Sequence, residues 1–186
     1  SGNKKVHIVT HSYGGIVATY WMNNFLPAGF TKSTWHAWIR AHVSSLAPIA
    51  GPFSGTSKSL RALLSGDTFG APDFLINRDN MIKDVRTIGG AVQLLPDPGF
   101  WPPTFPFVVT PARNYSATDM RQALTDSGAD ISAAIFDHTK DIIDNLEIPP
   151  VVTFCMYGFD VPTEIRYEYA HGLSRSEIVQ PSLIDS

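Results

Sequence analysis

Ser12 is the residue whose surroundings in this sequence point most clearly to chemistry. The run Val6–Thr10 is rich in β-branched residues, which favour a strand, and it then breaks abruptly into His, Ser, Tyr, Gly and Gly. Apolar residues at helical spacing follow from Ile16 to Phe25. A serine at the apex of a strand–turn–helix is typical of a nucleophile elbow. The sequence therefore predicts Ser12 as a catalytic nucleophile.

The residues around this turn are mostly small, as an elbow requires. A strained backbone at the serine needs small neighbours, and Gly14 supplies one two positions later. Thr10, two positions earlier, departs from the usual G-x-S-x-G form. An ordinary strand–helix turn or a phosphate loop is the alternative. A phosphate loop would need more glycines and usually a lysine, which this stretch lacks.

The composition indicates a globular chain and excludes some partners. Of 186 residues, 44% are hydrophobic and 17% are charged, which is typical of a folded domain with a sizeable core. A net charge of −3 without a basic run argues against a nucleic-acid partner. No apolar stretch approaches the roughly 20 residues that cross a bilayer. Because His7, His36 and His42 lack metal-ligand spacing, we expect no metal and no cofactor.

Three apolar runs predict successive strands of one sheet, at residues 6–10, 42–46 and 151–157. The last of these runs is typical of a buried strand. About 100 residues separate the second run from the third, which is too many for an ordinary connection. The sequence therefore predicts a partial α/β-hydrolase fold, with a doubly wound, mostly parallel sheet and a cap insertion. We expect the core at 1–50, the cap at 51–148 and a return to the core at 149–186.

The chain begins on the predicted elbow strand, and Ser1–Lys5 shows no signal-peptide pattern. An elbow strand normally lies inside a parallel sheet with a neighbour on each side. We therefore expect the chain to be an internal piece of a larger hydrolase.

Helical spacing predicts several helices in the insertion. Leu60, Leu63 and Leu64 recur at that spacing, and Gly66 ends the segment. The pattern weakens from 67 to 111, where glycine, proline and aromatic residues dominate. Later segments predict helices at 118–124 and 131–146, and a hairpin strand at 165–169.

The run from Gly99 to Phe107 is unusual because three prolines interrupt its aromatic residues and prevent regular structure. Two interpretations are open for it. It is either a buried irregular loop or an exposed apolar face of the cap that meets lipid. In the second case the lipid-contacting residues are Phe100, Trp101, Phe105 and Phe107.

Segments along most of the chain, in the right order, resemble the lecithin:cholesterol acyltransferase family, which includes lysosomal phospholipase A2 and phospholipid:diacylglycerol acyltransferase. The segment Cys155–Gly158 with Val161–Thr163 is the most specific of them. The others are Ile8–Gly15, Leu46–Pro48 with Gly55-Thr56, Ser65–Asp67, Leu94–Pro96 with Pro98, and Thr110-Pro111 with Asn114–Ser116.

The resemblance implies an acyl-enzyme mechanism on lipid esters. Ser12 is expected to attack a phospholipid acyl donor, and the acyl group then passes to a lipid alcohol or to water as acceptor. The backbone N–H of Tyr13 is expected to be one oxyanion donor, since it follows the nucleophile. Peripheral contact with a membrane or lipoprotein surface is implied as well.

The resemblance places the catalytic acid and histidine beyond residue 186. Within the chain, Asp160 and His171 follow the nucleophile in the order acid, then histidine, and they form the in-chain alternative. His11 is expected to support the turn by hydrogen bonding.

Cys155 is the single cysteine, and we expect it to be a small core residue. The resemblance implies that it pairs with a cysteine outside this chain. Asn114 begins a glycosylation sequon, consistent with the secretory pathway and a lysosomal or extracellular location.

Three classes of function stay open on the residues alone. They are a lipid acyltransferase or phospholipase, another α/β-hydrolase esterase or lipase, and a non-catalytic lipid-binding fragment. The resemblance favours the first class, with the chain expected to be inactive by itself.

Overall fold

The computed structural model describes residues 4–68, 77–144, 146–173 and 182–183. The described residues form two compact units, one from Ser1–Phe53 with Asn145–Val161 and the other from Ser54–Asp144 with Pro162–Ser186. In chain order the elements are β1 (Val6–His11), α1 (Gly14–Asn23), α2 (Lys32–His42), β2 (Val43–Ile49), α3 (Ser57–Ser65), α4 (Arg78–Val85), α5 (Gly89–Gln93), β3 (Val108–Val109), β4 (Asn114–Tyr115), a 3₁₀ turn (Ala117–Asp119), α6 (Met120–Asp126), α7 (Asp130–Asp144), β5 (Val152–Thr153), β6 (Tyr167–Glu168) and β7 (Ser182–Leu183).

The first unit is a mixed α/β arrangement on a parallel sheet of three strands in the order β1-β2-β5. This confirms the prediction that the three apolar runs are successive members of one sheet. The middle strand begins at Val43 and reaches Ile49, so it is longer than the predicted 42–46. His42 is the last residue of α2, and its Nδ1 contacts the carbonyl of Trp38 at 2.7 Å.

Aromatic and aliphatic side chains from α1, α2 and β2 form the core of the first unit, namely Met22, Trp35, Ile39, Val43 and Leu46. Helix α2 starts at a capping box in which the side chains of Thr31 and Thr34 each accept the other residue's backbone N–H. Both helices pack against the sheet, and α1 follows β1 after the short turn at Ser12 and Tyr13.

The predicted buried strand at 151–157 is wrong in both length and burial. Only Val152–Thr153 forms a strand, and Ile49 pairs further along with Met156 as an isolated bridge. Val152 and Tyr157 are 62% and 77% exposed, and Cys155 is exposed instead of lying in the core. Among the described residues β5 pairs only with β2, so it is an edge strand. A continuous apolar run does not reveal whether a neighbour covers it.

The second unit is mostly helical, with a small sheet in the order β4-β3-β6-β7. Its core gathers residues from α3, α6 and the strands, including Leu60, Leu63, Phe107, Leu124 and Tyr167. The predicted helix at 60–65 is confirmed as α3, and those at 118–124 and 131–146 are confirmed as α6 and α7 with shifted ends.

Of the residues 149–186 that were expected to return to the core, those up to Val161 belong to the first unit and those from Pro162 belong to the second. The reason is strand pairing, because β6 pairs in parallel with β3 and antiparallel with β7. The antiparallel pair agrees with the predicted hairpin strand.

Helices α4 and α5 were not predicted. Helix α4 is short and polar, with Asn77 capping it through its side-chain oxygen, and α5 begins on two glycines. Neither segment has a clear apolar period.

Side-chain hydrogen bonds and an ion pair connect the elements of the second unit. The Arg61 guanidinium donates to both carboxylate oxygens of Glu164 at 3.0 Å, and Tyr167 donates to the same carboxylate. Arg86 donates to the carbonyls of Leu63 and Leu64 at the end of α3, and to Ser127 and Gly128 just after α6. A single guanidinium therefore bonds carbonyls at two helix ends.

No helix in the described ranges is both long and apolar enough to cross a membrane.

Candidate active site

The turn between β1 and α1 has the backbone that the elbow motif predicts. The strand ends at His11, the helix begins at Gly14, and Ser12 between them has a φ of +53°. A residue other than glycine is uncommon in this left-handed region, and the conformation costs about 1–3 kcal/mol of backbone strain. Ser12 therefore lies at a sharp, strained apex at the carboxyl end of a parallel strand.

Main-chain hydrogen bonds hold this apex. The Ser12 N–H donates to the Ile49 carbonyl at 2.9 Å, and the Ser12 carbonyl accepts from the Gly15 N–H at 3.0 Å. The first bond joins the elbow to the end of β2, and the second closes the first turn before the helix. The conformation of Ser12 is thus fixed from both sides by backbone.

The two glycines after the serine differ in how crowded they are. A Cβ on Gly15 would lie 3.2 Å from both Pro48 and the ring of Phe53. A Cβ on Gly14 would lie 3.5 Å from the Cβ of Thr10, which is an ordinary contact. The departure from G-x-S-x-G at Thr10 is therefore accommodated, although its hydroxyl oxygen is buried with no hydrogen-bond partner among the described residues.

Tyr13 follows the serine and is the N-cap of α1, with φ −54° and ψ −25°. Its backbone lies at the positive end of a ten-residue helix, where an anion is stabilised. Burial raises the pKa of the Tyr13 phenol, so this side chain stays neutral at physiological pH.

Two of the three strands in the first unit, β1 and β2, are followed directly by a non-glycine residue with a left-handed backbone. Besides Ser12, the non-glycine residues with positive φ among the described residues are Ala50 (+49°), just after β2, and Asp160 (+59°), after β5. The Ala50 N–H donates to the Met156 carbonyl at 2.8 Å, which joins two of these ends. Ligands of open α/β sheets bind at this edge, and strained residues gather at such sites.

Sequence reasoning missed Ala50 as part of this edge. Alanine has no preference for a left-handed backbone, and the glycine that could signal one is the next residue, Gly51.

The in-chain alternative for the acid and base lies in two different units. Asp160 is exposed in the first unit, and His171 is exposed in the second, just after β6. Within the described residues no hydrogen bond joins the Ser12 hydroxyl to a histidine or a carboxylate. The pair therefore stays a prediction.

The support expected from His11 is not found. Its side chain is exposed and makes no hydrogen bond among the described residues. His11 is the last residue of β1 and lies opposite Ile49 in the sheet, and the main-chain hydrogen bonds of Ser12 supply the support that was expected from it.

The aromatic run divides between the two interpretations. Phe107 is fully buried at 0% exposure and belongs to the core of the second unit, so the prediction that it contacts lipid is wrong. Trp101 and Phe105 are partly buried against that core, and their rings lie 5.0 and 4.9 Å from Phe107. Phe100 is 65% exposed and is the member of the run that faces outward. Three of the four rings thus pack against one another, with Phe107 fully buried and Trp101 and Phe105 partly buried, which favours the irregular-loop interpretation for them.

The glycosylation sequon begins on an exposed residue. Asn114 is the first residue of β4 and its side chain is accessible, while Ser116 is buried and caps the 3₁₀ turn. Attachment of a glycan at Asn114 is compatible with this surface position.

Comparison with known proteins gives consistent similarities. The family model described as lecithin:cholesterol acyltransferase matches residues 1–145. The chain is 27% identical to phosphatidylcholine-sterol acyltransferase of Gallus gallus over 166 residues, covering 89% of the chain and 38% of that relative. It is 24% identical to the Homo sapiens protein of that name over 176 residues, covering 95% of the chain and 38% of that relative. It is 28% identical to lysosomal phospholipase A and acyltransferase of Homo sapiens over 159 residues, covering 84% of the chain and 38% of that relative.

The chain thus spans about two fifths of the length of the curated relatives that it matches.

Proposed function

Because the chain belongs to the lecithin:cholesterol acyltransferase family, we propose that it carries the nucleophile of a lipid acyltransferase or phospholipase, and that this nucleophile is Ser12. The observation that carries the proposal is the left-handed backbone of Ser12, at +53°, between a parallel strand and a helix. This geometry is what an elbow nucleophile needs, and the matched family region includes it.

The reaction has two steps that share one nucleophile. The Ser12 hydroxyl oxygen attacks the ester carbonyl of a phospholipid, and its proton passes through a general base to the departing alcohol, which leaves as a lysophospholipid. A lipid alcohol or water then attacks the acyl-serine, giving its own proton to the base and restoring the hydroxyl. The names of the relatives, phosphatidylcholine-sterol acyltransferase and lysosomal phospholipase A and acyltransferase, support these donors and acceptors.

The negative oxygen that forms in each step is stabilised by the start of α1. The N–H of Tyr13 is one donor, because the residue after an elbow nucleophile has this role. The helix N-terminus adds its positive end, and the neutral Tyr13 phenol adds no opposing charge.

The acid and the histidine follow the nucleophile in sequence. The resemblance to the family supports positions for them after residue 186, and Asp160 with His171 is the alternative within the chain. In this scheme the first unit is the core of an α/β-hydrolase fold and the second unit is its cap.

The exposed sequon at Asn114 and the word lysosomal in one relative's name support a location in the secretory pathway, lysosomal or extracellular. Phe100 is the residue of the aromatic run that remains a candidate for peripheral contact with a lipid surface.

The experiment that tests the proposal is Ser12→Ala in the complete protein. Loss of the nucleophile should lower turnover of phospholipid vesicles by about 10³-fold or more without changing the melting temperature. A fluorophosphonate should label the parent on Ser12, as mapped by mass spectrometry, and should not label the variant. Ser33→Ala, an exposed serine on α2, is the matched control and should behave as the parent does. Near-normal turnover in Ser12→Ala would sink the proposal.

A further inference from the structure

The charges of the chain are divided unevenly between its two units. The first unit holds four Lys and Arg residues against two Asp and Glu residues, which gives it a formal net charge of +2. The second unit holds ten against fifteen, a formal net charge of −5. No Asp or Glu precedes Asp67 in the sequence, whereas four of the six histidines do. The first unit is therefore cationic within an acidic chain.

Five basic residues of the first unit lie where its strands begin and form what we call the amino-end cluster, namely Lys4, Lys5, His7, Arg40 and His42. Lys4 and Lys5 directly precede β1, and His42 directly precedes β2. Because Val6 pairs in parallel with Val43, the two strands begin side by side. The sheet thus gathers basic residues that are distant in sequence at one of its edges.

The residues of the amino-end cluster are exposed, and none of them forms an ion pair with a residue that the structure describes. The imidazole Nδ1 of His7 lies 2.7 Å from the Ser45 hydroxyl oxygen, and Nδ1 of His42 donates to the Trp38 carbonyl at 2.7 Å. In both rings Nε2 is left for a ligand. The cluster therefore presents cationic and titratable groups to solvent without a paired carboxylate.

Part of this arrangement has a structural cause. Arg40 and His42 lie in the last turn of α2, where the negative end of the helix dipole stabilises cations. Lys4, Lys5 and His7 lie before or within a strand, and a strand provides no comparable dipole. The charge at this edge of the sheet thus exceeds what the helix end stabilises.

The position of the amino-end cluster argues against a membrane as its partner. Ser12 lies beyond the opposite end of β1, about 20 Å away at roughly 3.3 Å per residue. A membrane held at the amino ends of the strands would leave Ser12 facing away from its lipid substrate. A ligand bound there leaves the carboxyl edge of the sheet open.

The composition of the cluster argues against a protein surface as its partner. Protein interfaces have an apolar centre from which charged residues are depleted. The exposed aromatic residue beside the cluster, Trp38, stacks on Trp35 at 5.0 Å and on His42 at 4.1 Å, so its ring already has two partners. Long exposed cations suit a flexible chain of repeated negative charges, because each contact is weak and several must add.

From the charge, exposure and position of these groups we propose that the amino-end cluster binds a sulfated polysaccharide. The choice of this polyanion rests on the proposed location in the secretory pathway, where nucleic acid is not the expected polyanion. Sulfate esters stay ionised at physiological pH. Arg40 can hold such an oxyanion through two parallel N–H donors, while Lys4 and Lys5 act as point charges. Binding goes beyond the acyl-transfer chemistry of Ser12 and requires no turnover.

Heparin is the probe, and its affinity for the complete protein is measured by biolayer interferometry over a range of NaCl concentrations. A double variant, Lys5→Gln with Arg40→Gln, should weaken binding by about tenfold at moderate ionic strength. The slope of log affinity against log salt should fall by about one for each charge removed. Lys32→Gln is the matched control, since Lys32 is at the other end of α2 and is already paired with Glu147. It should bind heparin as the parent does, and all of these proteins should melt alike because the changes are at exposed positions.

Absence of heparin binding by the parent, or equal binding by the double variant and the parent, would overturn the site. Polyglutamate and phosphoglycerol-lipid vesicles are the competing ligands. If either bound as tightly as heparin, with the same loss in the double variant, the cluster would be assigned to an acidic protein segment or to a membrane instead. Hyaluronan, which carries carboxylates and no sulfate, should bind more weakly than heparin. Because Ser12→Ala should bind heparin as the parent does, failure of this site and failure of the nucleophile are seen in different assays.

Discussion

At the strand ends of the first unit, Ser12 and Ala50 are held by main-chain hydrogen bonds to Ile49 and Met156. In the second unit, by contrast, charged side chains hold the elements together, with Arg61 bound to Glu164 and Arg86 bound to four carbonyls. The first arrangement depends on which φ and ψ a residue can adopt. The second depends on which atoms a side chain carries.

The difference implies two patterns of sensitivity to mutation. At the strand ends of the first unit, exchanges that change backbone preference should matter more than exchanges of chemical group. In the second unit, truncation of one long side chain should loosen several elements together. Exceptions are expected where a main-chain contact in the second unit is unusually close.

The largest effect is expected at such an exception. Gly55 has a φ of +80°, and a Cβ there would lie 2.2 Å from the carbonyl oxygen of Leu95. Gly55→Ala should destabilise the second unit by about 4 kcal/mol, because the backbone of Leu95 and Pro96 must move. Hydrogen exchange of peptides from that unit, measured by mass spectrometry, checks this.

Gly172→Ala is the matched control for that variant. Gly172 is in the same unit and has a φ of +92°, but a Cβ there meets nothing within 4 Å. It should cost only about 1 kcal/mol, the conformational part alone. Equal losses in the two variants would show that the close approach at Leu95 is unimportant.

Removal of the Arg86 guanidinium comes next in size. Its donors reach the carbonyls of Leu63 at 2.8 Å, Leu64 at 3.1 Å and Ser127 at 3.2 Å. Arg86→Met keeps a long apolar stem but removes these donors, and should destabilise the second unit by about 3 kcal/mol. Urea unfolding and hydrogen exchange near α3 and α6 are the measurements.

Arg121→Met makes the same chemical change at the surface. Its pair with Asp137 is solvent-exposed, so this variant should unfold as the parent does. If neither arginine variant changed the free energy of unfolding, side-chain hydrogen bonds would not be what holds the elements of the second unit together.

A smaller loss is expected for Trp101→Ala. The indole packs against Phe105 and Phe107 and donates to the Ser54 carbonyl at 2.9 Å. Because it is only partly buried, its removal should cost about 2–3 kcal/mol, less than the loss of a fully buried tryptophan. Phe100→Ala, one residue earlier and 65% exposed, should stay within about 0.5 kcal/mol. Melting curves of both variants decide this. A stable Trp101→Ala with weakened liposome binding would restore the lipid-facing interpretation for Trp101.

The parts of the structure that could be read from the sequence are those with local causes. The elbow follows from β-branched residues meeting Ser, Gly and Gly, and α3 follows from the spacing of Leu60, Leu63 and Leu64. Both signals lie within a few residues of the structure that they specify. The approximate positions of the three strands could be read for the same reason, because each follows from a local run of apolar residues.

The parts that could not be read depend on contacts between distant residues. Composition does not distinguish Phe100 from Phe107, because burial of Phe107 is decided by pairing with Tyr115 and contact with the helical core. The exposure of the run after Val152 depends on which strands flank it. The left-handed backbone at Ala50 is set by a bond to Met156, over 100 residues away.

Ala50 also offers the smallest and most specific test of the comparison. Its φ of +49° is disfavoured for alanine and more so for a β-branched residue. Ala50→Val should therefore cost about 2 kcal/mol. Ala50→Gly should be nearly neutral, because about 1 kcal/mol of relieved strain is offset by the freedom that glycine adds to the unfolded chain. Thermal unfolding of the complete protein gives both values.

The same variants separate positioning from bulk stability. The Ile49 carbonyl that accepts the Ser12 N–H precedes Ala50 directly, so a shifted Ala50 moves the support of the elbow. At temperatures where the variant remains folded, Ala50→Val should lower kcat on phospholipid and should change KM less than it changes kcat. Ala41→Val, at an exposed helical position of α2, is the matched control and should cost about 0.5 kcal/mol with kcat unchanged. A loss of kcat in Ala41→Val equal to that in Ala50→Val would mean that the backbone at the end of β2 does not position Ser12.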